Sequence, residues 1–166
     1  MSTNGSKSIV APRGKKTLVV LGEPVTTILS GEDTDGQYAM VESTTPPGGG
    51  VPLLHTHPVQ ETFWIMEGEY EIYGRDAAGN KYATPARSGE AVHVPSNIPH
   101  GFRNVGQTPG KLLFIFEPAG TMEVFFEEVG LPVTDNKTPT GAPDQEKLMQ
   151  ALQKHNIVFL ETPPAE

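Results

Sequence analysis

Glycine and proline recur so often along this chain that they limit it to short regular segments. The 166 residues include 18 glycines and 16 prolines, spread between short apolar runs. Both residue types interrupt helices and central strands, and both favour the turns that join short strands. We therefore predict an all-β domain, a sandwich or a barrel. The predicted strands are Thr17–Leu21, Val25–Leu29, Gln37–Ser43, Leu53–His57, Thr62–Tyr73, Lys81–Thr84, Ala91–Pro95, His100–Asn104 and Lys111–Phe116.

The length of the chain suits one domain of this kind with peripheral segments. We expect residues 1–16 to form a flexible N-terminal arm, residues 17–130 to form the barrel, and residues 131–166 to form a linker and a C-terminal helix packed on the barrel. The helix is predicted after Asp144, a residue type that caps helices, because Leu148 and Ala151 recur at helical spacing.

Composition excludes several classes of function. The net charge is −8 and the calculated isoelectric point is near 5.1, which argues against nucleic acid as a partner because phosphate binding needs a basic face. The apolar runs are too short to cross a bilayer, so we expect no membrane partner and a cytoplasmic location. Cysteine is absent, so any metal ion must be held by imidazole nitrogen and carboxylate oxygen.

One short stretch contains candidate metal-ligating residues. His55 and His57 are two residues apart, so on a strand their imidazoles point to the same face. Glu61 keeps the same parity if the bend near Pro58 preserves the count. Burying two imidazoles and a carboxylate costs free energy unless a partner compensates for it, and a divalent cation is such a partner. His100 follows a proline-bounded turn and could reach the same point from a neighbouring strand.

Two stretches within 49–104 resemble the paired motifs of the cupin superfamily. The first motif, G-x5-H-x-H-x3-E-x6-G, is complete. The second, G-x5-P-x-G-x2-H-x3-N, has asparagine in place of its middle glycine, and asparagine tolerates the left-handed backbone that a turn there requires. The matching residues are Gly49, His55, His57, Glu61 and Gly68 in the first motif, and Gly89, Pro95, Asn97, His100 and Asn104 in the second.

The resemblance implies a jelly-roll barrel, a double-stranded β-helix, with one divalent transition metal inside it. The ligands implied are His55, His57, Glu61 and His100, and the ion could be Fe, Mn, Ni, Co, Cu or Zn. The Phe-rich run 121–130 and the C-terminal segment resemble, more narrowly, the small single-domain cupins described as quercetin-2,3-dioxygenase-like. Cupins commonly pair through their sheets, which implies a homodimer.

These features lead to one principal hypothesis and two alternatives for function. The principal hypothesis is a metal-dependent dioxygenase acting on an enolisable or phenolic small molecule, with Glu61 as the catalytic base. The first alternative is a redox-neutral isomerase or decarboxylase that uses the same metal. The second is a cupin that binds a small molecule without catalysis. The residues expected to line an apolar substrate pocket are Phe63, Ile65, Phe102 and Phe114.

Overall fold

Short antiparallel strands make up most of the computed structural model, which describes residues 8–10, 15–135, 137, 139 and 141–161. Two short helices follow the main strands. The strands are β1 (Thr17–Val20), β2 (Glu23–Leu29), β3 (Ala39–Thr45), β4 (Gly50–Thr56), β5 (Gln60–Glu67), β6 (Glu69–Arg75), β7 (Lys81–Arg87), β8 (Ala91–Val94), β9 (His100–Asn104), β10 (Gly110–Glu117), β11 (Leu131–Pro132) and β12 (Val158–Phe159), and the helices are α1 (Met122–Val129) and α2 (Gln145–Lys154).

The strands form two antiparallel sheets that share one hydrophobic core. The seven-stranded sheet has the order β11-β1-β2-β3-β10-β5-β8, and the five-stranded sheet has the order β12-β4-β9-β6-β7. Buried side chains from both sheets and from both helices belong to the same apolar cluster. The predicted all-β class, the jelly-roll architecture and the short C-terminal helix are confirmed.

Alternation along β5 sets which side chains enter the barrel. Phe63 and Ile65 are fully buried, whereas Trp64 and Met66 are 42% and 40% exposed. The chain crosses from the five-stranded to the seven-stranded sheet between β4 and β5, and Glu61 still faces inward, so the parity predicted across Pro58 is kept. The exposed Trp64 and Met66 lie on the outer face of the sheet, and the homodimer that could cover them stays a prediction.

The turn before His100 has the backbone that the sequence predicted. Asn97 adopts a φ of 61°, in the left-handed region that asparagine tolerates. Its N–H donates to the carbonyl of His57 at 2.9 Å, which ties this turn to the first motif. Asn104 is fully buried, and its side chain bonds to the backbone of Thr45, Thr108 and Gly106. The two motifs are therefore joined by hydrogen bonds between their backbones.

The C-terminal residues extend both sheets. β11 pairs with β1 although the sequence predicted a linker there, and β12 pairs with the edge of β4. The side chain of Asp144 caps α2 by accepting the N–H of Lys147 at 3.1 Å, as predicted. The division of the chain at residues 16 and 130 stays a prediction, and most of the proposed N-terminal arm lies outside the described residues. Over the described part of the chain, neither helix has the length and apolar character needed to cross a bilayer.

Candidate metal centre

Three imidazoles meet inside the barrel. His55 lies on β4 and pairs directly with His100 on β9, while His57 follows the end of β4. The His100 ring centroid is 4.6 Å from that of His55 and 4.7 Å from that of His57. One ring nitrogen from each residue lies within 4.8 Å of the others, and all three side chains are buried. The structure thus brings together the three histidines that the sequence predicted.

Each imidazole is oriented by a backbone carbonyl two residues away. A carbonyl oxygen can only accept, so Nδ1 must carry a hydrogen and donate in every case. This leaves Nε2 as the atom that faces the centre, which is the arrangement found when outer hydrogen bonds orient a metal-ligating histidine. The bonds run from His55 Nδ1 to Leu53 O (2.9 Å), from His57 Nδ1 to Val59 O (2.8 Å) and from His100 Nδ1 to Ile98 O (2.7 Å).

Glu61 brings a carboxylate to the same point from β5. Its Oε2 lies 3.0 Å from His57 Nε2 and 2.8 Å from His100 Nε2. Because both Nδ1 atoms already hold a hydrogen, an ionised Glu61 can make both contacts only if each ring carries a second proton or a cation lies among the three groups. Burial raises the pKa of Glu61, but the hydrogen bonds from His100 and His57 outweigh it and hold that pKa well below its ordinary value. A positive charge therefore belongs at this centre.

The histidines divide into two electrostatic environments. Burial, together with the nearby charge of His100, lowers the pKa of His55 to about 4, so His55 is a neutral imidazole at neutral pH. Burial also lowers the pKa of His100, but its hydrogen bond to Glu61 and the charge of that carboxylate raise it by more. A neutral imidazole and an ionised carboxylate are the forms that ligate metals. Three imidazole nitrogens and one carboxylate could hold one divalent transition metal ion.

A small cavity of about 60 Å³ adjoins the cluster. Of the four predicted pocket residues, Phe63, Phe102 and Phe114 line it, while Ile65 is buried in the core and does not reach it. The polar residues at its wall are Glu23, His55 and Glu61. Sequence analysis did not place the helix α1 and the C-terminal residues at this site, where they supply Met122, Phe125, Phe126, Ile157 and Phe159.

Glu23 is a second buried carboxyl at the cavity wall, and sequence reasoning missed it. Its Oε1 accepts hydrogen bonds from the hydroxyls of Ser43 and Thr45, whereas its Oε2 has no partner among the described residues. Burial raises its pKa, and the hydroxyl donors lower it by less. Glu23 stands beside Pro24, between two predicted strands, and alternation with the buried Val25 is the signal that could have found it.

Comparison with known proteins agrees with this geometry. Residues 41–116 match the model described as the cupin domain. The chain is 28% identical over 133 residues to the quercetin 2,3-dioxygenase of Bacillus subtilis, covering 78% of this chain and 36% of that protein. It is 24% identical over 118 residues to auxin-binding protein 1 of Arabidopsis thaliana, covering 69% of this chain and 59% of that protein. The chain thus spans less than two thirds of the length of each relative.

Solved structures show the same fold. A variant of the oxalate decarboxylase from Bacillus subtilis superposes with a TM-score of 0.59 at 16% identity, over 71% of this chain and 32% of that one. At this identity the likeness concerns the fold alone. The two motifs, the jelly-roll sheets and the match of residues 41–116 to the cupin domain are the features that this chain shares with cupins.

Proposed function

We propose that the cluster binds one divalent transition metal ion and that the protein is a metal-dependent dioxygenase of an enolisable or phenolic small molecule. The observation that carries the metal site is the set of three Nδ1–carbonyl hydrogen bonds around ring nitrogens that lie within 4.8 Å of one another, with Glu61 beside two of them. The proposed ligands are His55, His57, Glu61 and His100. The aromatic wall and the similarity to a quercetin 2,3-dioxygenase support the substrate class.

The chain contributes charge and shape to this chemistry. When bound, a divalent ion supplies Lewis acidity towards an anionic oxygen and, if it is redox-active, one-electron chemistry with dioxygen. Three neutral imidazoles and one carboxylate leave a net positive charge at the centre, which attracts an enolate or a phenolate. The rings of Phe63, Phe102 and Phe114 exclude water and offer an apolar surface to an aromatic substrate.

We assign the proton-accepting role to Glu61. Glu61 is the carboxylate that reaches the imidazole cluster, and it pairs with Phe116 on β10. Glu23 is bound by Thr45, which pairs with Gly110, six residues away on the same strand. A base must come within hydrogen-bonding reach of the proton it takes, and Glu61 would meet that condition for a molecule bound at the cluster if its carboxylate left the metal.

Metal content tests the site directly. The parent, His57→Ala and His93→Ala should be purified without a polyhistidine tag or chelator and analysed by mass spectrometry for metal per chain. His93 lies on β8 and its side chain contacts Thr62 on the exposed face, so its variant is the matched control. We expect near-stoichiometric metal in the parent and in His93→Ala, and little in His57→Ala. Absence of metal from all three, even after Fe, Mn and Ni are offered, would overturn the site.

Oxygen uptake tests the reaction. The metal-loaded parent should consume dioxygen with at least one member of a panel of flavonols and β-diketones, and His57→Ala should not. Turnover of the same compounds under strict anaerobiosis would transfer the assignment to a redox-neutral isomerase or decarboxylase.

Ligand binding without catalysis is the second candidate function. The similarity to a protein named for auxin binding favours it, as does a cavity that is small in this structure. A compound that binds the loaded protein tightly and is recovered unchanged, with and without dioxygen, would establish it.

A further inference from the structure

The C-terminal segment 157–161 contributes part of the cavity wall, because Ile157 and Phe159 line the cavity. Phe159 pairs with His55 across the β12–β4 ladder, and the two ring centroids are 5.2 Å apart. A proposed metal ligand therefore lies beside an aromatic ring that is held on a two-residue strand.

This segment is held by few contacts. β12 pairs with β4 at two positions, whereas β10 pairs with β3 at seven. Beyond the ladder, the N–H of Leu160 donates to Leu54 O at 2.8 Å. The Glu161 carboxylate accepts from the Leu54 N–H at 2.8 Å and from Lys81 Nζ at 3.0 Å. Glu161 also lies 3.9 Å from Arg75 Nη2, and both ion pairs are partly exposed, so they contribute little to stability. β12 is thus joined to its sheet by fewer backbone pairs than any other strand that lines the cavity.

The cavity is too small for the substrates proposed above. A water molecule needs about 10–15 Å³ by this measure, and a cavity of about 150 Å³ is known to hold benzene. The 60 Å³ found here is room for a few waters and is smaller than the space an aromatic ring occupies. An aromatic ring therefore fits in this space only if part of the wall moves.

We propose that Phe159 determines the size of the molecule admitted to the imidazole cluster, and that β12 leaves β4 to let that molecule enter. The proposal rests on the proposed function for its ligand class, and within that class it favours one-ring phenolates and enolates over larger molecules such as flavonols. In the closed arrangement the Phe159 ring occupies the space beside His55 that a second ring of the ligand would need. Asn156, with a φ of 54°, lies between α2 and this segment and is a suitable hinge because its backbone already departs from the helix.

A gate has a kinetic signature that a weakened site lacks. A gate changes the rates of metal loading and of metal removal by a chelator by the same factor, and leaves the dissociation constant unchanged. We expect Phe159→Ala to raise both rates about tenfold or more, because the apolar contact of the ring is lost. Glu161→Gln should raise both about two- to fivefold, as a partly exposed ion pair allows. Val158→Ala, on the outward side of the same strand, should change them by less than about twofold.

Two ligands of different width test size selection on the metal-loaded protein. Catechol and naphthalene-2,3-diol present the same pair of oxygens on one ring and on two fused rings. Calorimetry should show that Phe159→Ala binds the naphthalenediol about tenfold more tightly than the parent does, with the catechol affinity little changed, because one aromatic ring of space has been freed. Equal weakening of both ligands, or faster metal removal without faster loading, would show that Phe159 only supports the site and would overturn the proposal.

Hydrogen exchange on the metal-free protein keeps this test separate from the proposed function. We expect the Leu160 and Leu54 amides to exchange faster than amides at the centre of β10, and faster still in Glu161→Gln. Exchange of Leu160 as slow as that of the β10 amides in the parent would mean that β12 opens only on global unfolding, which would overturn the gate whether or not a metal binds. Binding of neither diol to a protein shown to hold metal would overturn the substrate class instead.

Discussion

Glu61 and Glu23 are two buried carboxyls on the wall of one cavity, and their surroundings give them opposite acidities. Glu61 lies against two imidazole nitrogens, which hold its pKa well below the ordinary value despite burial. Glu23 lies against two hydroxyls, and burial keeps its pKa raised. A hydroxyl donates a hydrogen bond but brings no charge, so it compensates less of the cost of burying an anion. The neighbours of a carboxyl, and not its depth, decide whether it is an anion.

The largest expected effect is on metal content. Glu61→Gln should lower metal affinity by about a hundredfold or more, because loss of a direct ligand exceeds the 10- to 100-fold cost of losing an outer hydrogen bond. Glu23→Gln should leave metal content unchanged. Metal titration followed by mass spectrometry of the washed protein measures both variants. Equal loss in the two would mean that Glu23 also belongs to the metal site and that the two carboxyls have the same role.

The gain in thermal stability on adding metal should differ between variants of Glu61 and variants of Glu23. A metal ion at 100 times its dissociation constant stabilises the folded state by about 2.7 kcal/mol. For a chain of this length that corresponds to a rise in Tm of about 5–10 °C. The parent and Glu23→Gln should show this rise in thermal unfolding, and Glu61→Gln should show little of it. An undiminished rise in Glu61→Gln would remove the carboxylate from the ligand set.

The hydroxyls around Glu23 should make its apolar substitution costly. Glu23→Leu leaves the Ser43 and Thr45 hydroxyls buried without an acceptor, which should lower the free energy of unfolding by about 1–3 kcal/mol. The triple variant Glu23→Leu, Ser43→Ala, Thr45→Val removes both ends of the two bonds and should recover most of that loss. Urea unfolding at constant pH measures both. A triple variant no more stable than the single one would mean that the cost lies in packing.

The smallest effect is a dependence on pH. The pKa of Glu23 is raised on folding above its ordinary value of 4.5, so its contribution to stability is complete below that pH and is lost as pH rises through the folded pKa. Glu23→Gln cannot ionise. The parent should therefore lose stability relative to Glu23→Gln as pH rises above 4.5, by about 1.4 kcal/mol per pH unit between the two pKa values. A constant difference from pH 4 to pH 7 would contradict the raised pKa.

The same contrast shows how far sequence reasoning reaches. Glu61 could be predicted because it lies at a fixed spacing from two histidines, and because side chains alternate between the two faces of a strand. Glu23 could not, because its burial depends on β3 bringing Ser43 and Thr45 alongside it, which is a pairing of residues some twenty positions apart. Phe159 was beyond prediction for a similar reason, since its contact with His55 depends on a strand paired across about a hundred residues.

The strands, the turn at Asn97 and the cap at Asp144 were predictable because local chemistry determines them. Glycine, proline and asparagine restrict backbone angles where they stand, and alternation along one strand needs no knowledge of its partner. The two-residue strands β11 and β12 carry no such local pattern. Each forms because an edge strand offers unpaired backbone groups to whatever segment passes beside it.

The contact between Leu54 and Glu161 joins residues 107 positions apart. Closing so long a loop costs conformational entropy before the contact can stabilise the fold, so we expect this contact to form late in folding. During synthesis the histidines emerge long before Phe159 does. A newly made barrel would therefore present its imidazole cluster to the surrounding solution with that side still open, and the order of translation would give a metal ion its easiest access before the chain is finished.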